Sequence, residues 1–276
     1  MTSIEAKVIA DSISNEGKRL TTVQVTFNRF ILAEVNTHRV FSRNSASSRA
    51  IPVKKQLSRM LGDPCMPIHW GANRPGMSAS EELTGWRRTA AKAVWVAHRY
   101  CSYAAMWLHE KIGLHKQVAS RLGEAHFWHT AIISSTEWDN FFHQRISPMA
   151  QPEIRELAIC IKEAIDYSNP KQLAYGEWHT PYCDTDKALD HGLSMWDRLR
   201  VAVARCARVS YLQHDGTASV EKDINMFENT LWSNGHWSPM EHVAQCGGGS
   251  GNFDGWTQLR VYAETNKLEA LKEEWK

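Results

Sequence analysis

Residues 22–49 read TVQVTFNRFILAEVNTHRVFSRNSASSR, and this stretch decides the interpretation of the chain. Val23, Val25 and Phe27 alternate with polar residues, which predicts a half-buried strand that we expect to continue through 30–32. Residues 37–49 then hold three arginines, four serines, an asparagine and a histidine. Each of these groups would need a partner if buried, so we expect the segment outside the core. Two interpretations remain: a solvated loop, or an anion cradle whose guanidinium groups grip phosphate.

Composition narrows the class of protein. The chain has 276 residues, 43% of them hydrophobic and 22% charged, which is enough for a large core in one or two domains. Its net charge is only +2, so nucleic acid is disfavoured as the main partner. There is no apolar run of about 20 residues and no signal peptide, which predicts no membrane span. Six scattered cysteines without a C-x-x-C pair predict reduced thiols in a cytoplasmic protein.

Apolar periodicity predicts several helices. A capping box at 78–81 starts a long helix that ends at Gly113, after a loop at 61–77. The face of this helix that we expect to be buried consists of Leu83, Trp86, Ala90, Val94, Ala97, Cys101, Ala105 and Leu108. Further helices are predicted at 152–165, with Pro152 in the first turn, at 194–208 and at 219–234, and short helical pieces at 115–147.

The remaining segments complete an α+β, helix-rich fold with a small sheet. A strand is expected at 258–262, after a glycine-rich hinge at 247–251. The segment 175–179 is either an active-site lid or a packed aromatic corner. We expect a core unit at 1–169, a linker at 170–193, and a unit at 194–276 that completes the same domain.

The polar segment resembles the signature of flavin-dependent thymidylate synthases, R-H-R-x-x-S-x-N-x-x-S-x-R. Six of its seven specified positions match: His38, Arg39, Ser42, Asn44, Ser47 and Arg49. Thr37 replaces the first arginine, and Ser45 stands where many family members carry a glutamate. Either change is expected to alter flavin contacts or substrate choice.

A second segment is similar to the family's N-F-x-x-x-R and A-Q-x-E-I motifs. It contains Asn140 and Arg145, followed by 150–154. The resemblance implies that Asn140 contacts the flavin and Arg145 binds the pyrimidine ring. From the residues alone, Arg145 has the alternative of pairing with Glu153 or Asp139. Upstream, 115–121 is similar to the helix with the family's phosphate-binding arginine, which implies that role for Arg121.

A third similarity lies in an unexpected place. Ala-Arg-Val-Ser-Tyr at 207–211 and Gly-His-Trp-Ser-Pro-Met-Glu-His at 235–242 resemble segments that precede the signature in the family, whereas here they follow it. The chain therefore resembles a circular permutant of that fold. The resemblance places Ser210, Ser238 and Glu241 near the flavin, and His236 near the folate or flavin ring. The alternative for His236 and His242 is a structural role in hydrogen bonding.

Arg260 is a candidate to compensate for Thr37. In that interpretation, 256–260 supplies the groups that normally precede the His-Arg pair of the signature. The alternative is a surface strand.

The resemblance implies methylation of dUMP at C5, with methylenetetrahydrofolate as carbon donor and FAD, reduced by NADPH, as hydride source. It further implies a homotetramer with flavin at the subunit interfaces. Arg145 would be the catalytic residue. The residues expected to bind substrate are Ser47, Ser48, Arg49, Arg121 and Arg145. Those expected to bind the flavin or folate are His38, Arg39, Asn44, Asn140, Ser210, His236, Ser238 and Glu241.

Alternatives remain open at this stage. A related flavin enzyme that hydroxymethylates C5 or acts on dCMP fits the two departures from the signature. An inactive relative that kept the anion cradle for binding nucleotide or RNA is the alternative from another class. The mechanism that the resemblance implies needs no activated cysteine, so we expect none of the six to be catalytic. We also expect no metal, because the candidate histidines lack carboxylate or cysteine partners at ligand spacing: His115, His126, His129 and His179.

Overall fold

A five-stranded sheet organises the first part of the chain. The computed structural model describes residues 2–184, 192–211, 219–268 and 272–273, with side chains left out at 210 and 211. The strands are β1 (Glu5–Ser14), β2 (Arg19–Asn28), β3 (Ser42–Ser45), β4 (Trp128–Ser135) and β5 (Lys171–Leu173), in the spatial order β3-β4-β2-β1-β5. All neighbours are antiparallel except β1 and β5. The strand predicted around Val23 and Val25 is therefore confirmed, in the middle of the sheet. It is not half-buried as expected, because its polar residues Thr22 and Thr26 are buried as well.

A second, three-stranded antiparallel sheet lies in the C-terminal part. It is formed by β6 (Trp178–His179), β7 (Ala244–Cys246) and β8 (Trp256–Gln258), in that order. Trp178 and His179 are buried in this sheet, so 175–179 is a packed corner rather than a lid, with only Tyr175 strongly exposed among its aromatic residues. The range predicted as a linker contains both β5 and β6.

Helices surround the two sheets. The α-helices are α1 (Leu32–Val35), α2 (Val53–Gly62), α3 (Gly85–Lys111), α4 (Lys116–Ala119), α5 (Asp139–Arg145), α6 (Pro152–Asp166), α7 (Met195–Ala207), α8 (Val220–Met226) and α9 (Leu259–Glu264). A π-helix, Phe227–Trp232, extends α8. Short 3-10 helices lie at Arg29–Ile31, Ser120–His126, Arg208–Tyr211 and Ser238–His242.

The two largest of five hydrophobic clusters in the described residues lie between these elements. In the first, α6 packs its buried face, Ile154, Leu157 and Ile161, against Val23 and Val25 of β2. In the second, α7 packs against the α8 helix and α9. The helices predicted at 152–165, 194–208 and 219–234 are all confirmed. Pro152 lies in the first turn of α6, and the Ser219 side chain caps α8.

Several local predictions were wrong. The chain leaves β2 at Asn28 and turns through the 3-10 segment into α1, so no strand continues through 30–32. β4 occupies part of the region predicted as helical pieces, and β1 and α2 were not predicted. Because residues 131–135 are buried throughout, β4 carries no alternation that would mark it as a strand. At 258–262 the strand ends at Gln258 and α9 follows.

The prediction for α3 was wrong in two respects. The helix begins at Gly85, after Thr84, and no side chain caps its first turn. The predicted buried face is largely exposed: Trp86 is 76% exposed, Val94 69% and Leu108 53%. The buried residues of α3 are instead Ser102 and Met106.

Five buried polar side chains join the two sheets. We call them the hydroxyl–imidazole chain: Ser12, Thr22, Ser134, His179 and His242. Ser12 Oγ lies 2.8 Å from His179 Nδ1, and Thr22 Oγ1 lies 2.7 Å from His179 Nε2. Thr22 Oγ1 also lies 2.7 Å from Ser134 Oγ, which lies 2.8 Å from His242 Nδ1. This chain connects β1, β2 and β4 to β6 and to the 3-10 segment that ends at His242.

The hydroxyl–imidazole chain predicts how stability depends on pH. Burial lowers the pKa of His179 to about 4, and burial together with His179 lowers the pKa of His242 to about 3. In the unfolded chain both would titrate near an ordinary pKa of about 6.5. Below that pH the unfolded state takes up protons that the folded state does not. The free energy of unfolding should therefore fall by about 1.4 kcal/mol per pH unit for each histidine as the pH drops from about 6.5 towards 4.

Urea titrations at a series of pH values between about 7 and 5 measure this loss. A His179→Leu variant should show a shallower dependence, because one of the two histidines is gone. Midpoints that do not change with pH would contradict the prediction.

No helix in the described ranges is both long enough and apolar enough to cross a membrane.

Candidate functional site

The arginine-rich segment lies at the edge of the five-stranded sheet. Residues 42–45 form β3, where Ser42 pairs with Ser134 of β4. The expectation that this segment stays outside the core was wrong in part. His38, Ser42 and Ser48 are buried, and each finds a polar partner within the protein. Because each of these side chains has a hydrogen-bond partner, their burial avoids the free-energy cost of an unpaired polar group.

At one end of the segment, His38 contacts Arg145 of α5. Arg145 Nε donates to His38 Nε2 at 2.9 Å, and Arg145 Nη2 donates to Thr37 Oγ1 at 3.0 Å. The ring of His38 is packed by Phe141, whose ring centroid lies 4.9 Å away. Neither of the partners considered for Arg145 from sequence, Glu153 or Asp139, is used. Two predicted site residues that are 107 positions apart in the chain therefore lie in direct contact.

His38 is neutral in this arrangement. Burial, together with the positive charges of Arg145 and Arg43, lowers its pKa to about 4. Because His38 Nε2 accepts a hydrogen bond from Arg145, the neutral ring carries its proton on Nδ1. Arg43 Nη1 also donates to the His38 carbonyl at 2.8 Å. The guanidinium of Arg145 is thus held by uncharged acceptors and keeps its full positive charge.

In the middle of the segment, β3 contacts the C-terminal part of the chain. Asn44 Nδ2 donates to the Cys206 carbonyl at 3.1 Å, and Asn44 Oδ1 accepts from Ser238 Oγ at 3.4 Å. Gln258 Nε2 donates to Ser42 Oγ and to the Glu241 carbonyl, both at 2.8 Å. The segment at 235–242 therefore lies beside the signature, although nearly 200 residues separate Asn44 from Ser238.

Arg260 is held by two carboxylates. It forms ion pairs with Glu241 and with Glu264, the latter at 2.7 Å. Thr37 contacts Arg145 instead. Arg260 and Thr37 share no contact among the described residues, and the prediction that Arg260 compensates for Thr37 in ligand binding stays a prediction. The alternative of a surface strand is wrong for Arg260, because the strand ends at Gln258 and Arg260 lies in α9.

At the other end of the segment, three donors converge on one oxygen of Glu124. Ser48 Oγ donates to Glu124 Oε1 at 3.0 Å, Arg121 Nη1 at 2.7 Å and Arg29 Nη2 at 3.1 Å. Burial raises the pKa of Glu124, but these three partners outweigh that effect, so its pKa lies below the ordinary value. Two residues expected to bind phosphate, Ser48 and Arg121, thus hold an internal carboxylate.

Four other predicted site residues are exposed and do not contact the side chains around His38, Asn44 and Ser48. They are Arg39, Arg49, Asn140 and His236. Arg39 lines a shallow cavity of about 380 Å³ together with Thr136 and Asn252. Asn140 accepts only a 3.3 Å bond from Gln144 among the bonds described for its side chain. Ser45 and Ser47 are half-buried, and Ser47 Oγ accepts from the Arg49 amide at 3.3 Å. The side chain of Ser210 lies outside what the structure describes.

Three residues at the site were not predicted from sequence: Arg29, Arg43 and Glu124. Arg29 holds Glu124, Arg43 holds the His38 carbonyl, and Glu124 anchors the Ser48 end of the segment. Only Glu124 left a local signal, since it lies one helical turn after Arg121. The segment 256–260 was expected to supply polar groups to the signature, and its Gln258 contacts Ser42 in the middle of the segment.

The cysteines are free thiols, and Cys65, Cys183, Cys206 and Cys246 are buried. Burial raises the pKa of Cys65 and Cys183 to about 12, which keeps them protonated. Within the described ranges no three His, Cys, Asp or Glu side chains form a group that could hold a metal ion.

No protein-family model matches the chain, and no curated protein matches it. The geometry of the site offers a fixed, half-buried guanidinium, a neutral histidine beside it and two exposed arginines, a set suited to an anionic, planar ligand.

Proposed function

We propose that this protein is a flavin-dependent enzyme that methylates C5 of dUMP, with methylenetetrahydrofolate as carbon donor and NADPH as reductant of FAD. The observation that carries the proposal is the meeting of three motifs that are distant in sequence. Arg145 contacts His38, and Ser238 contacts Asn44, so the segments similar to the family's three motifs share one sheet edge. A circularly permuted form of the family's fold accounts for this order of segments.

Arg145 would stabilise charge on the pyrimidine. When C5 becomes nucleophilic, negative charge develops on the ring carbonyls, and a fixed guanidinium stabilises that charge without a proton transfer. Its bonds to His38 and Thr37 fix the orientation of Arg145 before substrate binds. Orientation fixed in advance lowers the reorganisation cost of the reaction.

Arg49 is the exposed guanidinium for the nucleotide phosphate. Ser48 and Arg121 already hold Glu124, whereas the Arg49 side chain has no partner among the described residues. The turn in which the Ser47 hydroxyl accepts from the Arg49 amide keeps Ser47 and Arg49 side by side. Arginine favours phosphate because its planar fork binds two oxygens at once.

The residues expected to hold the flavin fit a dinucleotide. Arg39 is an exposed cation that would bind a phosphate at the mouth of its cavity, away from Glu137 and Asp254, which line the same cavity. Asn140, His236 and Ser238 are exposed donors. Asn44 would act by holding Ser238 at the sheet edge, and Glu241 by its ion pair with Arg260. Bound FAD would supply the hydride that completes the methyl group.

The test is a product analysis with purified protein. After reconstitution with FAD, the protein should retain flavin absorbance through gel filtration. Under anaerobic conditions with methylenetetrahydrofolate and NADPH, dUMP should be converted to dTMP, identified by mass spectrometry. Parallel reactions with dCMP, and a search for the hydroxymethyl product, distinguish the related enzymes. Retention of flavin without product from either nucleotide, or failure to retain flavin, would overturn the proposal.

A further inference from the structure

A carboxylate lies among the residues proposed to hold the nucleotide, and the proposed function gives it no part in binding. Glu124 is bonded to Ser48 and Arg121, and its side chain is 31% exposed. Ser48 directly precedes Arg49, the arginine proposed for the phosphate. A partly exposed acid in this position can contact a bound nucleotide.

The two oxygens of the Glu124 carboxylate differ in their surroundings. Oε1 accepts three hydrogen bonds, from Ser48, Arg121 and Arg29. Oε2 accepts none from the described residues, and it is open to solvent. An ionised carboxylate only accepts hydrogen bonds, and each of its oxygens has lone pairs for them. Oε2 is therefore an acceptor that is available to a ligand.

The direction of this carboxylate is fixed by buried groups. The Arg29 side chain is 11% exposed, and its Nη1 donates to His129 Nδ1 at 2.8 Å. Ser48 is 2% exposed, and its carbonyl accepts from Gln56 Nε2 at 2.8 Å. These contacts hold two of the three donors to Oε1, so Oε2 keeps its orientation before a ligand binds. Such preorganisation lowers the entropy cost of binding.

The charges around Glu124 decide which chemical group Oε2 can take. Burial raises the pKa of Glu124, but its bonds to Arg29, Arg121 and Ser48 outweigh burial, so the carboxylate is ionised at neutral pH. Together with the two guanidinium groups it leaves a net positive charge. That charge disfavours a metal ion or an ammonium group at Oε2, and the carboxylate itself repels an anion there. A neutral donor such as a hydroxyl group is the ligand that fits.

The sugar of the proposed substrate offers one such hydroxyl. In dUMP the 5′ position carries phosphate and the 2′ position carries hydrogen, which leaves the 3′-hydroxyl. A few bonds separate this hydroxyl from the phosphate, so the protein groups that bind them must be neighbours. The chain on both sides of Arg49 is held in place, because Gln56 bonds the Ser48 carbonyl and Lys116 Nζ donates to the Ala50 carbonyl at 3.2 Å. A nucleotide whose phosphate binds Arg49 can therefore present its sugar to Glu124.

We propose that Glu124 Oε2 accepts a hydrogen bond from the 3′-hydroxyl of the nucleotide and thereby selects nucleotides in which that hydroxyl is present and free. This inference rests on the proposed function, because it requires a nucleotide phosphate on Arg49. It applies equally to dUMP and dCMP, which share the same sugar, and it involves no step of the flavin chemistry. In this arrangement Arg29 and Arg121 are positioning residues for the carboxylate.

Calorimetric titration of the FAD-loaded protein tests the inference. The two ligands are dUMP and 2′,3′-dideoxyuridine 5′-monophosphate, which lacks the 3′-hydroxyl. Wild-type protein should bind dUMP about 10- to 100-fold more tightly, the range expected for a hydrogen bond to a charged group. Equal binding of the two nucleotides would overturn the inference and leave the proposed function standing. Binding of neither nucleotide would count against the proposed function, and against this inference with it.

Glu124→Gln assigns the preference to this side chain. Its amide oxygen can still accept from Ser48, Arg121 and Arg29, whereas the amide nitrogen that takes the place of Oε2 cannot accept. The variant should bind dUMP and the dideoxy nucleotide with similar affinity, through a loss of dUMP affinity alone. Glu81→Gln is the matched control, because Glu81 is an exposed carboxylate that also pairs with an arginine, and it should keep the wild-type preference.

Circular dichroism checks that each variant is folded. If Glu124→Gln does not fold, Glu124→Asp is the test. Aspartate keeps the charge that Arg29 and Arg121 pair with, but its shorter side chain withdraws from the sugar, so this variant should also lose most of the preference. A folded Glu124 variant of either kind that keeps the full wild-type preference for dUMP would overturn the assignment.

Discussion

Arg145→Ala should lower the rate of dUMP methylation by about 100- to 1000-fold, the loss typical of removing one donor that stabilises charge in a transition state. The effect should fall mainly on kcat, because the guanidinium is proposed to act on charge that develops during the reaction. Arg145 is half-buried at the end of α5, and its removal leaves His38 Nε2 and Thr37 Oγ1 without this donor. We therefore expect a small loss of stability, about 1 kcal/mol.

Two further variants sharpen this result. Arg145→Lys keeps the charge but lacks the planar fork that reaches His38 and Thr37 together, so it should recover only part of the activity. Arg74→Ala removes an exposed arginine that pairs with Glu81 in the loop before α3, and it should behave like wild type. An Arg145→Ala enzyme with normal turnover of dUMP would show that the catalytic assignment is wrong.

His179→Leu should lower the free energy of unfolding by about 2–4 kcal/mol, the second large effect we expect. His179 is fully buried, and its two ring nitrogens contact Ser12 Oγ and Thr22 Oγ1. Leucine fills a similar volume but satisfies neither hydroxyl. Urea unfolding followed by circular dichroism measures the loss.

The matched control for this substitution is His143→Leu, because His143 is exposed on α5. It should change the free energy of unfolding by no more than about 0.5 kcal/mol. If His179→Leu were as stable as wild type, the hydroxyl–imidazole chain would contribute nothing to holding the two sheets together.

Sequence patterns predicted α6, α7 and the helix that begins at α8, whose apolar faces meet the core of the same chain, although α2, which also buries such a face, was missed. α6 and the helix that begins at α8 carry such a face together with a proline or serine at the first turn. The same pattern failed for α3, because periodicity reports that a face is apolar and not which surface covers it. β4 was missed for the opposite reason: a strand buried on both sides has no alternation to detect.

The candidate site was likewise predicted only in part. The motifs predicted that His38 and Arg145 act in one site, and the two side chains are in contact. The contact of Gln258 with Ser42 agrees with the expectation that 256–260 supplies polar groups to the signature, whereas Glu124 reaches Ser48 through tertiary packing that no motif marked. Thr37 shows what sequence and structure each contribute. The sequence marked Thr37 only as a departure from the family signature. In the structure Thr37 accepts a hydrogen bond from Arg145 and so helps to position the Arg145 guanidinium.

The bond between Ser42 and Gln258 spans 216 of the 276 residues of the polypeptide. During synthesis, the arginine-rich edge strand leaves the ribosome early but receives this anchor only when the last segments have emerged. Contacts of such long range slow the search for the native state, since the intervening loop must close first. A nascent chain thus carries an unfinished sheet edge for most of its translation, and any fragment that stops before β8 lacks the Gln258 anchor of Ser42.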